Sequence, residues 1–159
     1  MTSSGPQRFF VEFDSTEACP FAFTEDPVVI LFFASWAYSA DFGGAHELSA
    51  AAMHLRNVRH IDLKPLLRYA DRDVENEADR REMERAWQPA ADLASCARAV
   101  AEAWEHPDER LAGLIAGYEH LAPRLRELAA MCDWAAARDA RVRMSFALEQ
   151  PERRRERPR

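Results

Sequence analysis

Along residues 83–104 the apolar side chains recur every three or four positions: Met83, Trp87, Ala90, Leu93, Ala97, Val100 and Trp104. That spacing lays them on one stripe of a helix. It predicts a long central helix, which Pro89 is expected either to kink or to restart. Two other segments keep a period of two instead. In residues 8–14, Phe9, Val11 and Phe13 fall on one side, and in residues 141–148, Val142, Met144, Phe146 and Leu148 alternate with Arg141, Arg143, Ser145 and Ala147. Both read as strands. Two strands at opposite ends of a helical chain are most economically placed in one small sheet, paired with each other or sharing it.

The run at 28–36 is apolar throughout, and its β-branched start suits a strand. Its length, the Asp26-Pro27 start and the Gly43-Gly44 stop favour a buried helix, which is the reading adopted. Further helices are expected from about Ala45 to Arg56, with Leu48, Ala52 and Leu55 inward, and after Asp62, with Leu66, Leu67 and Ala70. Two more should follow Asp108, carrying Leu111, Leu114, Ile115 and Tyr118, and Pro123, carrying Leu125, Leu128, Cys132 and Ala135. The expected fold class is α+β and mostly helical: five to six packed helices with a small sheet formed by the N- and C-terminal strands. Residues 1–150 form one domain in this reading, and 151–159 a disordered Arg-rich tail.

The chain has 159 residues and a formal net charge of -6. An acidic body disfavours nucleic acid and anionic membranes and suits basic partners. Its five tail arginines, at 153, 154, 155, 157 and 159, stand against two glutamates, and read as a solubilising end rather than a nucleic-acid arm. Lys64 is the sole lysine, a bias that fits a GC-rich genome. Cys19, Cys96 and Cys132 are odd in number and widely spaced, as expected for reduced thiols in the cytoplasm. Residues 1–7 are polar and lack the apolar centre of a signal peptide. The uncharged stretch at 27–40 falls short of the roughly 20 apolar residues of a membrane span.

Candidate chemistry is sparse. Thr16-Glu17-Ala18-Cys19-Pro20, following a Phe-rich strand, resembles the peroxidatic segment of peroxiredoxins. The resemblance implies a thiolate at Cys19, with Thr16 as a hydrogen-bond donor to the substrate. It covers about a dozen residues and departs where that family carries a proline, since Glu12 stands there. A carboxylate nearby also works against thiolate formation. Residues 30–36 resemble the strand that enters a thioredoxin active site, but Ala37, Tyr38, Ser39 and Ala40 take the place of Cys-x-x-Cys. His46, Glu47 and His54 suggest a metal site on one helix, although Ala50 and Ala51 occupy the positions where His-x-x-x-His spacing would put a ligand.

Asp71, Glu75, Asp79 and Glu82 recur at helical spacing with Arg72, Arg80, Arg81 and Arg85 beside them. They suggest a solvated helix face able to dock a basic partner. Gly113 and Gly117 permit close helix packing, and no Gly-rich phosphate loop is present. The functional expectation is a small, non-catalytic accessory protein. It needs no cofactor, holds no metal, and acts through a protein partner or self-association. A thiol redox enzyme built on Cys19 and a helical metal-binding protein are the alternatives.

Overall fold

The structure, a computed structural model, describes residues 7–148; the tail at 151–159 lies outside them. Strand β1 (Gln7–Phe13) leads through a loop to α1 (Val28–Ala40) and α2 (Glu47–Asn57). A 3₁₀ turn (Lys64–Leu67) and strand β2 (Tyr69–Asp71) follow, then α3 (Glu77–Arg85), β3 (Gln88–Pro89) and α4 (Ala90–Glu105). The described chain ends with α5 (Glu109–Ile115), α6 (Leu121–Ala136) and β4 (Arg141–Leu148). It is α+β and mostly helical, and the two terminal strands do pair.

Strand β4 is the centre of the sheet. Strand β1 runs antiparallel along one edge, from Gln7 opposite Leu148 to Phe13 opposite Val142. The other edge is shared by β2, parallel and set against residues 144–146, and by β3, antiparallel and set against 141–142. These two short strands carry no periodic signal, because two or three residues are too few to show one. The register pairs Phe9 with Phe146, Val11 with Met144 and Phe13 with Val142, so all six fall on one face. That face packs into the core, and Phe13 meets Trp134 of α6 edge-on. On the other face Arg72 covers Phe10, Arg143 covers Trp87, and Glu12 pairs with both arginines.

Helices α4 and α6 form the largest helix pair, through alanine-rich faces that let the axes close up. Leu93, Ala97, Val100 and Ala101 of α4 and Leu125, Leu128 and Cys132 of α6 are fully buried. Trp104 stacks edge-on against Phe33 of α1 and donates its indole N–H to the Tyr118 carbonyl, so the buried ring leaves no orphan donor.

The structure decides between alternatives and corrects some expectations. The stripe from Met83 to Trp104 restarts at Pro89, the second of the two outcomes expected there: α3 stops at Arg85, Gln88 and Pro89 are extended as β3, and α4 starts at Ala90. The proline forces the restart, because it has no N–H to give to an ongoing helix. The segment at 28–36 is helical, so its thioredoxin likeness is in sequence only. Ala70 lies in β2 rather than in a helix after Asp62, and Tyr118 lies beyond the end of α5. The expected cap at Asp108 forms and accepts the Leu111 N–H, whereas Asp62 and Asp26 stand one residue ahead of the cap positions, held by Leu63 and Pro27, and accept the N–H groups of Lys64 and Val28.

Candidate functional site

The acidic residues come apart on folding. Asp71 ends β2 and Glu75 precedes α3, so only Asp79 and Glu82 of the four are helical, and the expected single face does not exist. The extended backbone of β2 and the Asn76 cap intervene, and each carboxylate is put to local use. Asp71 accepts the Asp73 N–H, Asp79 accepts that of Glu75, and Glu82 pairs with Arg85. Glu75, Asp79 and Glu82 share an excursion, residues 72–87, that leaves the sheet edge after β2, where Asp71 stands at its root, and returns at β3. None of the nine residues of α3 is buried. Its anchors are two arginines outside it: Arg68 donates to the Arg85 carbonyl and Arg143 to that of Met83.

Cys19 and Thr16 lie in the loop between β1 and α1, with Cys19 half-buried against the core and Thr16 exposed. The segment is not at a helix N-terminus, a position that favours a thiolate. Glu17, between them, pairs with Arg138. Cys96 and Cys132 are buried, and burial pushes both thiols up to about 12, so they stay protonated at neutral pH.

The metal constellation does not assemble. The His46 Nδ1 accepts the Leu48 N–H as the cap of α2, and its ring stacks on Trp36 at 4.1 Å. Glu47 accepts from the Tyr118 hydroxyl, and His54 pairs with Asp108 at 2.8 Å. Three residues thus have three different partners. Among the described residues, Glu102, Glu105 and His106 do come close enough to share a cation, but they are exposed and Arg126 already bridges the two carboxylates.

A cleft of about 570 Å³ opens between the Lys64–Leu67 turn and the N-terminal half of α4. His60, Asp62, Lys64 and Arg68 line it from the turn, and Asp92, Ser95 and Cys96 from α4. Its frame is fixed by Gln88, which is buried and donates to the Pro65 carbonyl at 2.9 Å, tying β3 to the turn. His60 holds a left-handed backbone at φ 59°, where the chain reverses after α2. Asp62 spends one oxygen on the Lys64 N–H. No sequence pattern marks this cleft, because its lining residues come from separate segments that only the fold brings together.

No family model matches the chain, and no curated protein or solved structure does either.

Proposed function

We propose that this protein is a non-catalytic interaction module that docks a basic protein partner through the acidic excursion at 71–85. The observation behind this reading is α3 itself. Most helical stability in proteins comes from packing an apolar face, and α3 buries none of its residues. Each of the other five α-helices of the described region buries at least two. The Asn76 cap and the Glu77 and Glu82 ion pairs hold α3 together internally, and all of its residues but the half-buried Asp79 and Met83 are exposed. Residues 71–85 carry seven carboxylates against four arginines, and Arg72 is drawn away to Glu12 and Phe10. The field at this edge is therefore negative, which favours association with a basic surface and makes it sensitive to salt.

The test is affinity capture with the wild-type chain and with the quadruple charge reversal Asp71→Lys, Glu75→Lys, Asp79→Lys and Glu82→Lys, checked for folding by circular dichroism. A basic protein held by the wild type at low salt, released by 0.5 M salt and absent from the folded variant supports the reading. Identical captured sets from both proteins sink it. The thiol-redox alternative has less behind it, since Cys19 sits in a loop and the other two cysteines are buried.

A further inference from the structure

We propose that the cleft between the Lys64–Leu67 turn and α4 binds a small metabolite carrying an oxyanion, carboxylate or phosphate, with a hydrogen-bond donor elsewhere on the molecule. Lys64 and Arg68 hold the oxyanion, and Asp92 receives the donor.

The first support is the state of the two cations. Most of the arginines in the described region, from Arg56 to Arg143, pair with a carboxylate. Carboxylates outnumber cations in this chain, 27 against 21, so a partner is the default. Among the described residues the Lys64 ammonium and the Arg68 guanidinium form no ion pair, and both line the same cleft. Arg68 has only the neutral Arg85 carbonyl at 3.2 Å, which leaves its remaining N–H groups for a ligand. A guanidinium and an ammonium together suit a planar or tetrahedral oxyanion.

The second support is the cavity. About 570 Å³ lies within the range of small-molecule sites, and the Gln88–Pro65 bond ties two of its walls together. Helix α4 begins at this rim with no side-chain cap on its first N–H groups, whose partial positive charge offsets part of the negative charge of Asp62 and Asp92 in the same lining. Asp92 lines the same cleft and sets the selectivity. A bare anion meets its charge unfavourably, whereas a ligand with an ammonium or hydroxyl group pairs with it.

Lys64 is the sole lysine, so reductive ¹³C-methylation, which keeps the charge, gives one lysine resonance to follow by NMR in the full chain. The probes are inorganic phosphate, L-malate and O-phosphoserine. The expected result is a saturable shift of the Lys64 signal, with O-phosphoserine binding about ten-fold more tightly than phosphate. Arg68→Gln should weaken that binding about ten-fold or more, and Asp92→Asn should remove the preference for O-phosphoserine while leaving phosphate binding intact. Linear, non-saturating shifts with all three probes overturn the proposal, as does an unchanged titration in folded Arg68→Gln. Neither outcome touches the docking reading, whose charge reversals lie outside the cleft.

Discussion

Arg124 shows how a charge is carried inside this protein. Its guanidinium is almost fully buried and reaches Glu25, Thr24 and Glu127, pinning the loop after β1 to α6. The contact from its Nε to Glu127 Oε1 is 2.8 Å long but poorly aligned for a hydrogen bond, so it acts as a charge pair. Truncating Arg124 strands Glu127, which is only 20% exposed, while Glu25, at 76%, rehydrates. Arg124→Ala should therefore cost about 1–3 kcal/mol, read as a lower urea midpoint with unchanged slope. Asp108 supplies a second prediction. The hydrogen bond from His54 holds its carboxyl below the ordinary value, with the Leu111 N–H and Arg59 acting in the same direction. A depressed folded value means that the contribution is complete above about pH 4 and is lost as the pH falls through the folded value. Asp14, bonded by Arg141, and Glu105, bonded by Arg126, add to the same acid limb. Urea unfolding measured from pH 6 to pH 2 should show stability falling at the acid end, and less steeply in Asp108→Asn, which keeps the α5 cap. Equal slopes would rule out this linkage. Of this, only the Asp108 cap was legible in sequence; the Arg124 cluster was not, because Arg124 and Glu25 sit on separate elements and only packing joins them.

At the scale of elements, the turn between α1 and α2 is set by a close approach at Gly44. A Cβ there would lie 2.3 Å from the Ser39 hydroxyl oxygen, 2.9 Å from that of Ser49 and 3.0 Å from the Ser39 carbonyl. The Ser49 hydroxyl is already committed to the Trp36 carbonyl at 2.8 Å, so it cannot swing aside freely. Gly44→Ala should lower stability by about 1–3 kcal/mol, visible as a reduced Tm. Gly43-Gly44 did mark the helix stop in the sequence, through the ordinary punctuation of glycine. Helix periodicity located α2, α4 and α6 well because each has a broad apolar face. The charged spacing at 71–82 misled for a related reason: polar residues at intervals of three or four need no helix to satisfy them. The cleft beside α4 was invisible, since Lys64, Arg68, Asp92 and Ser95 share no local pattern.

For the molecule as a whole, β4 is the strand on which the sheet depends. It carries β1 on one edge and both β2 and β3 on the other, and Val142 and Met144 enter the shared core. Ser145 is fully buried and opposite both Phe10 and Ala70. Ser145→Pro should abolish the folded state, because a strand paired on both edges has no free side to which a missing N–H can be turned. A cooperative unfolding transition in that variant, near the wild-type midpoint, would contradict the central placement. The terminal strands were legible in sequence by alternation alone, and their partnership followed from economy. Which edge β2 and β3 would take was not, since it depends on where α3 leaves and re-enters.

The pairing of Gln7 with Leu148 also has a consequence for synthesis. At ordinary translation speeds, roughly 6 to 26 seconds separate the emergence of β1 from that of β4. Throughout that interval Phe9, Phe10, Val11 and Phe13 hang from the ribosome as a sticky ribbon lacking its mate. A nascent chain stalled before residue 141 should thus be a strong client for ribosome-associated chaperones, and a chain that has completed β4 should release them.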